Sequence, residues 1–295
     1  MAGSPDRPGH LGSGARARIV FGTVALSGGP PAHTLLDRFR GAGGRALDLA
    51  NSYEDGEAAR AVGGWLAGRR LAGELTLYVK GCHPPTCRPE LVGPEVERAL
   101  RLLRVERLDV FLLHRDDPGF PVAAWAQALH AEVAAGRVGA VGVSNWTLVR
   151  TRELARALPA GELAAFSNHF SLADMLEAPW PGCLAVSRPG LCELAGMRVD
   201  VLAWSSLALG YFAGRESPSW SSPANAARRE RARALASERG VSTTAIALAY
   251  VLHAGAHVLP VVRTGSAAHL DELMAAAELE LSPAELEWLE AGAAI

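Results

Sequence analysis

The stretch RLDVFLLHRDDPGFPVAAWAQALHAEVAAGRVGAVGVSN (residues 107–145) decides the fold of this protein. It contains a short apolar run (107–114), a segment with helical spacing that stops at Gly136, and a second apolar run (137–145). Two buried strands joined through one helix pair in parallel, because the helix returns the chain to the end of the sheet where it started. The stretch therefore predicts one βαβ unit of a parallel sheet.

The same alternation of strand and helix continues in both directions from this unit. Each of the further apolar runs is followed by at least one segment with helical spacing. These runs lie at 18–23, 45–50, 74–80, 161–167, 198–206 and 257–265. Eight such units in one chain predict an α/β fold, the closed (β/α)8 TIM barrel, as a single domain over residues 18–295. Residues 1–17 are polar and rich in Gly and Pro, and we expect them to form a flexible N-terminal tail.

An open, doubly wound sheet is the alternative arrangement of the same elements. It calls for a G-x-G-x-x-G fingerprint after the first strand, whereas the sequence there reads FGTVALSGGP (21–30). The closed barrel is therefore the favoured fold.

The composition excludes several classes of protein. Of the 295 residues, 49% are hydrophobic and 20% are charged, which is enough apolar material for a large core. The net charge of −2 offers no basic surface for nucleic acid or membrane, and no apolar run is long enough to cross a bilayer. Four scattered cysteines suit a reducing compartment, so we expect a cytoplasmic protein. Cys82, His83 and Cys87 lie close in sequence, but they lack the further ligands of a metal site.

Polar residues stand at or just beyond the ends of several predicted strands. Asp48 and Lys80 end the second and third strands, Tyr53 follows the second, and His114 ends the fourth. Active sites of (β/α)8 barrels are built at these carboxyl ends. Because a buried carboxylate and a buried ammonium each need a partner, we expect Asp48 to pair with Lys80.

This set of residues predicts a proton donor. The pKa of a free tyrosine is about 10, and a nearby ammonium stabilises the phenolate and lowers that pKa. Lys80 is thus expected to make Tyr53 more acidic, with His114 giving a second hydrogen bond to a substrate oxygen. Tyr53 would then protonate an alkoxide as it forms, while a nicotinamide cofactor brings the hydride. Two other readings remain open: Asp48 and Lys80 as a structural ion pair, and Lys80 as a Schiff-base residue of a lyase or isomerase.

The sequence resembles the aldo-keto reductase family over roughly residues 18–290. The segments that carry the resemblance are ALDLANSYEDGEAARAVGGWL (46–66), LYVKG (77–81), RLDVFLLHRDD (107–117), GRVGAVGVSNW (136–146) and AWSSLALGYFAG (203–214). The resemblance implies a reductase that transfers hydride from NADPH to a small aldehyde or ketone. Its catalytic residues would be Asp48, Tyr53, Lys80 and His114.

The resemblance also implies a set of cofactor-binding residues. Ser144 and Asn145 would hold the carboxamide of nicotinamide, and Trp204 would lie against its ring. The remaining contacts would come from Gly22, Thr23, Asp48, Ser205, Leu207, Gly210, Arg263, Thr264 and Ser266. Trp146 and His169 are candidates for lining the substrate pocket.

The chain departs from the family pattern at three places. Ser167 and Asn168 stand where a glutamine is common, and Leu273 stands where an asparagine is common. The usual Gly-Thr-Arg-Ser reads Arg263-Thr264-Gly265-Ser266, and the guanidinium still suits the 2′-phosphate of NADPH, which we expect in preference to NADH. The alternative function is a regulatory protein that binds NADPH as a sensor with little turnover. The oligomeric state is left open.

Overall fold

The eight predicted strands are all present in the computed structural model, which describes residues 15–26 and 29–292. All eight are shorter than the apolar runs that predicted them. They are β1 (Val20–Gly22), β2 (Ala46–Ala50), β3 (Thr76–Gly81), β4 (Leu108–Leu113), β5 (Val138–Ser144), β6 (Leu163–Ser167), β7 (Asp200–Ala203) and β8 (Val258–Val262).

Helices follow the strands as the alternating pattern predicted. The α-helices are α1 (Pro30–Gly41), α2 (Glu57–Arg69), α3 (Val92–Leu103), α4 (Val122–Ala134), α5 (Leu148–Ala157), α6 (Arg188–Gly196), α7 (Pro223–Arg239), α8 (Thr243–Leu252), α9 (Ala267–Ala276) and α10 (Pro283–Ala291). Short 3₁₀ helices, which the sequence did not predict, lie at Ala15–Arg18, Tyr53–Gly56, Pro89–Leu91 and Ala208–Ala213.

The hydrogen-bonded order of the strands follows the chain from β1 to β8 and closes into a barrel. All five pairings whose register is resolved are parallel. In the pairing of β2 with β3, Asp48 lies opposite Tyr78 and Ala50 opposite Lys80. The predicted (β/α)8 fold is confirmed, and the open-sheet alternative is excluded.

The chain forms two compact units. The first contains Gly22–Asp37 and Arg45–Phe166, and thus β2 to β5 with helices α2 to α5. The second contains residues 15–21, Arg38–Gly44 and 167–292, and thus β7, β8 and most of β1, with α6 to α10. The single domain over residues 18–295 stays a prediction.

Close helix packing supports the first unit. In α2, Val62 and Trp65 are buried, and Gly63 lies directly against the backbone of α3. A Cβ at Gly63 would overlap the carbonyl oxygen of Leu102 and lie 2.8 Å from Cα of Leu103. The next residue, Gly64, has open space where its Cβ would be. The sequence pair Gly-Gly therefore contains one residue that the packing requires and one that it does not.

A half-buried arginine links the start of the second unit to α8 and β8. The guanidinium of Arg18 donates to the carbonyl oxygens of Leu252 at 2.5 Å, Gly255 at 2.7 Å and Val258 at 3.1 Å. These carbonyls lie between the end of α8 and the start of β8, and the carbonyl of Leu252 is one that the helix itself leaves without a partner. Burial lowers the pKa of Arg18, but the side chain stays charged because its ordinary value is so high. Helix α8 itself is almost wholly buried, and its sequence is almost entirely apolar.

The predicted N-terminal tail falls only partly on described residues. Residues 1–14 of the tail lie outside them, and residues 15–17 belong to the 3₁₀ helix Ala15–Arg18. In the part of the chain that the structure describes, no helix has the length and hydropathy needed to cross a membrane.

Gly63→Ala is expected to lower the free energy of unfolding by about 1–3 kcal/mol, because the added methyl group forces α2 away from α3. Gly64→Ala is the matched control in the same helix. It should be neutral or should stabilise the protein by up to about 1 kcal/mol, since alanine favours a helix and nothing obstructs it. Urea unfolding of the two variants measures the difference. Equal stabilities would show that α2 does not pack against α3 in this way.

Candidate active site

The centre of the site is a buried ion pair between neighbouring strands. Asp48 and Lys80 are each 3% exposed, and Lys80 Nζ lies 2.7 Å from Asp48 Oδ2 and 2.5 Å from Oδ1. The sequential strands β2 and β3 bring the two side chains together, as their spacing predicted. Burial alone would lower the pKa of Lys80, but Asp48 and Tyr53 together outweigh it and raise that pKa. Lys80 is therefore a cation at neutral pH, and the neutral amine that a Schiff base needs is disfavoured.

Tyr53 is aimed at this ion pair by a tight turn after β2. Its hydroxyl oxygen lies 3.2 Å from Lys80 Nζ and 3.5 Å from Asp48 Oδ2. Tyr53 opens the 3₁₀ helix Tyr53–Gly56, in which Glu54 and Asp55 adopt left-handed φ values of 45° and 57°. The carboxylate of Glu54 accepts a hydrogen bond of 2.7 Å from the backbone amide of Ala25, which compensates part of this strain.

A buried, hydrogen-bonded pair, Asn51 and Glu95, supports the same turn, and the sequence analysis did not predict it. The side-chain amide of Asn51 donates to the carbonyl oxygen of Glu95 at 2.8 Å and to its carboxylate at 2.6 Å. The backbone amide of Asn51 also donates to the carbonyl of Lys80 at 2.9 Å, which extends the ladder of β2 and β3. Glu95 is 44 residues away on α3 and resembles a solvent-facing helix residue in sequence, so only its 7% exposure identifies it.

His114 completes the group on the first unit. It is 8% exposed, and its ring lies edge-on to that of Tyr53, with centroids 5.9 Å apart and an interplanar angle of 83°. Burial, together with Lys80, Arg115 and His83, holds the pKa of His114 well below its usual value. His114 is thus a neutral imidazole, which can donate one hydrogen bond and carries no charge of its own. The structure brings together all four predicted catalytic residues.

The predicted acidity of Tyr53 is wrong in direction. Lys80 does lower the pKa of the phenol, but burial opposes it more strongly and Asp48 adds to burial, so the pKa of Tyr53 is raised to about 12. The sequence argument counted the ammonium and neglected the cost of placing a phenolate in a site with little water. Tyr53 therefore keeps its proton at neutral pH.

The other predicted residues of the first unit lie at the ends of β1, β2 and β5. The hydroxyl and the backbone amide of Thr23 both donate to the carbonyl oxygen of Asp48 at 3.0 Å, so this residue, which follows Gly22, is bound to β2. Ser144 and Asn145 are buried at the end of β5, where the side-chain amide of Asn145 donates to Ser144 Oγ at 3.0 Å. Asn145 has a left-handed φ of 57°, a conformation that asparagine tolerates better than most residues.

Trp204 follows β7 in the second unit and stands in an aromatic cluster. Its ring centroid lies 5.2 Å from that of His169 and 6.3 Å from that of Trp180. His169 Nδ1 lies 3.2 Å from the carbonyl oxygen of Trp204, and burial lowers the pKa of His169 to about 4. His169 is therefore a neutral ring, and its contacts help to hold Trp204 in position. Ser167 and Asn168, the departures from the family pattern, are both buried.

The turn after Trp204 has an irregular backbone. Ser205 has a left-handed φ of 49°, and Gly210 has a φ of 91°. A Cβ at Gly210 would lie 2.8 Å from Cδ of Arg215, a flexible side chain that can move aside, so it is the conformation that calls for glycine. Leu207 accepts a hydrogen bond of 3.0 Å from the amide of Gly210 and closes the turn.

The predicted residues after β8 lie at the start of α9. Ser266 is the N-cap of this helix, and Thr264 Oγ1 accepts a hydrogen bond of 3.0 Å from the Ser266 amide. Arg263 is exposed, and within the described part of the chain it forms no hydrogen bond or ion pair. A free guanidinium beside a helix N-terminus suits an anionic group such as a phosphate. Nearby, an open cleft of about 770 Å³ includes His269 and Glu272 in its wall.

Trp146 is fully buried, and its ring packs edge-on against Trp125 at 6.3 Å, with the guanidinium of Arg150 5.1 Å away. Its place in the substrate pocket stays a prediction. Leu273, the departure from the family pattern in α9, is also fully buried. Among the residues that the structure describes, no three His, Cys, Asp or Glu side chains are grouped to hold a metal ion.

Comparison with known proteins agrees with this geometry. The model of the aldo/keto reductase family matches residues 18–293. The norsolorinic acid reductase of Emericella nidulans is 28% identical, over 88% of this chain and 71% of that protein. The NADP(+) aryl-alcohol dehydrogenase of Phanerodontia chrysosporium is 26% identical, over 86% and 74%.

Solved structures share the fold at lower identity. An aldo-keto reductase from Klebsiella pneumoniae, crystallised with NADPH, has a TM-score of 0.73 at 23% identity and covers 92% of this chain and 90% of its own. The glycerol dehydrogenase of Gluconobacter oxydans has a TM-score of 0.76 at 21% identity, with coverage of 94% and 93%.

Lys80→Met is expected to destabilise the protein by about 3–5 kcal/mol, because it leaves the carboxylate of Asp48 buried without a counter-charge. Adding Asp48→Asn removes that charge, so the double variant should regain most of the stability lost in Lys80→Met. Arg60→Met is the control in the same unit, since the pair of Arg60 with Glu57 is exposed and should contribute less than about 1 kcal/mol. Chemical denaturation measures the free energy of unfolding of all three variants. A double variant no more stable than Lys80→Met would contradict the pairing.

Proposed function

The chain belongs to the aldo/keto reductase family of NAD(P)H-dependent oxidoreductases, and on this premise we propose that it reduces an aldehyde or ketone to an alcohol with NADPH, using Tyr53 as the proton donor. The observation that carries the proposal is the contact of 3.2 Å between the Tyr53 hydroxyl and the Lys80 ammonium, which Asp48 holds in place. When bound, NADPH supplies the hydride that none of these side chains can provide.

The residues around Tyr53 provide for transfer of one proton. The raised pKa of Tyr53, about 12, keeps the phenol protonated at neutral pH, so the proton that the oxygen of the substrate needs is present. The Lys80 ammonium then stabilises the phenolate that donation leaves behind. His114 is neutral, since its pKa is held low, and we assign to it the second hydrogen bond to the same oxygen.

The cofactor assignment rests on groups in each unit. In the first, the side chains of Ser144 and Asn145 at the end of β5 suit the amide and carbonyl of a carboxamide. In the second, Trp204 offers an aromatic face, and Arg263 with the start of α9 suits the 2′-phosphate that distinguishes NADPH from NADH. The assignment also includes Gly22, Thr23, Asp48, Ser205, Leu207, Gly210, Thr264 and Ser266.

The substrate is proposed only as a small carbonyl compound. The similar curated proteins are named as reductases of norsolorinic acid and as aryl-alcohol dehydrogenases, and these names support a carbonyl and alcohol couple. We place the reaction in the cytoplasm, because the sparse and scattered cysteines suit a reducing compartment.

Two substitutions should separate chemistry from cofactor binding. Tyr53→Phe removes the proton donor and should lower kcat by more than about a hundredfold, while the Kd for NADPH changes less than about threefold. Arg263→Gln should do the reverse: kcat stays within about twofold, and the Kd for NADPH rises about tenfold while that for NADH does not change. NADPH absorbance with an aldehyde substrate and quenching of tryptophan fluorescence give the two quantities.

Tyr78→Phe is the control for the first variant, because it removes a buried phenol hydroxyl from β3 and leaves Tyr53 intact. Turnover retained by Tyr53→Phe would refute the assignment of the proton donor. An Arg263→Gln variant that binds NADPH as tightly as the native protein would refute the assignment of the 2′-phosphate.

The pH dependence should follow the raised pKa of Tyr53. The protonated phenol is the form that donates, and it predominates at every pH below about 11, so kcat/KM for reduction should be flat from about pH 6 to 9. Oxidation of the alcohol needs the phenolate, so its rate should rise with pH over the same range. Initial rates in both directions test this. A fall in the reduction rate with a midpoint near pH 8 would show that Lys80 outweighs burial.

A further inference from the structure

His83 lies against His114 at the end of β3, where nothing in the proposed chemistry uses it. The two imidazole centroids are 4.9 Å apart, and the rings meet edge to face at an angle of 69°. His83 is half-buried, and it belongs to the cluster with Cys82 and Cys87 that the sequence marked without explanation. A ring held this close to a neutral, buried imidazole restricts the directions in which that imidazole can point.

The backbone holds His83 in this place. Cys82, directly before it, is buried and has a left-handed φ of 57°, an unfavourable conformation for a residue with a side chain. The carbonyl oxygen of His83 accepts hydrogen bonds of 2.8 Å from both the amide and the hydroxyl of Thr86. His83 Nδ1 lies 3.0 Å from the carbonyl oxygen of Pro84, a contact in which the nitrogen is the donor. Backbone and ring of His83 are both fixed.

The imidazole of His114, by contrast, has no short polar contact among the residues that the structure describes. Its Nδ1 lies 3.5 Å from Ser52 Oγ, which is too long for a strong hydrogen bond. Its ring meets the rings of Tyr53 and His83 edge to face, at centroid distances of 5.9 and 4.9 Å. The His83 ring is the nearer of the two, and it comes from a residue that the proposed chemistry does not use.

We infer that His83 is a positioning residue: its imidazole packs against the His114 ring and holds it in the orientation that hydrogen-bonds the carbonyl oxygen of the substrate. The expected effect of His83 on kcat rests on the proposed function. Its structural part, the restraint of the His114 ring, holds whatever the substrate is. The shape of the His83 ring carries the effect, and its nitrogens do not take part in proton transfer.

Three variants test the inference. His83→Ala should lower kcat for aldehyde reduction about tenfold and change the Kd for NADPH less than twofold. His83→Phe keeps an aromatic edge without nitrogens and should restore kcat to within about threefold of the native value. In the background of His114→Ala, His83→Ala should cause no further loss, because its effect passes through His114.

An NMR measurement makes the test independent of activity. In protein labelled with ¹³C-histidine, the ring resonances of His114 should shift and broaden in His83→Ala and stay close to native in His83→Phe. His130→Ala is the control, because His130 is an exposed histidine of the same unit that pairs with Glu162. If native protein oxidises no NADPH, the proposed function fails and these spectra still decide the role of His83.

Three outcomes would overturn the inference. Native kcat in His83→Ala would show that His114 needs no such support. A loss in His83→Phe as large as in His83→Ala would assign the effect to the nitrogens of His83 rather than to its shape. Unchanged His114 resonances in His83→Ala would show that the two rings are not in contact.

Discussion

The buried ion pair of Asp48 and Lys80 is the interaction on which the rest of the site depends. Transferring either charge alone from water into the barrel would cost several kcal/mol, so each residue is tolerable only with the other beside it. The parallel pairing of β2 and β3 brings the two side chains together. Lys80 Nζ lies 2.5 Å from Asp48 Oδ1 and 2.7 Å from Oδ2. Separating the two side chains would leave each charge buried without a partner, so the pair is held in place. The hydroxyl of Tyr53 is positioned by its contacts with this pair.

Burial determines the protonation state of the neighbours as much as charge does. Tyr53 has an ammonium at 3.2 Å and still has a raised pKa, while His114 is kept neutral by the same lack of water. Both residues therefore present hydrogen-bond donors without carrying charge. Such a site suits a neutral carbonyl group, and the ammonium of Lys80 lies beside the hydroxyl of Tyr53.

Unfavourable backbone conformations gather where the strands end. Left-handed φ values occur at Glu54 after β2, Cys82 after β3, Asn145 after β5 and Ser205 after β7. Each of these residues lies next to, or is itself, a residue assigned to the site or to its support. The hydrogen-bonded strands are stiff enough to impose such turns, and the turns direct side chains toward the site instead of along the strand.

The sequence by itself determined the fold, and it singled out the four residues that we assign to catalysis. The alternation of apolar runs with helical segments predicted eight strands and a closed barrel, and polar residues at the strand ends identified Asp48, Tyr53, Lys80 and His114. This was possible because the spacing of apolar residues and the alternation of strands with helices along the chain are visible in the sequence itself.

Only the tertiary structure decided how these residues are held and how they ionise. Asn51 contacts Glu95, which is 44 residues away, and His83 contacts His114, which is 31 residues away. Trp146 is buried in the core. No local sequence pattern predicts these contacts. The pKa of Tyr53 went in the opposite direction from the sequence argument, because desolvation depends on every atom that excludes water from the phenol, and that quantity exists only in the folded protein.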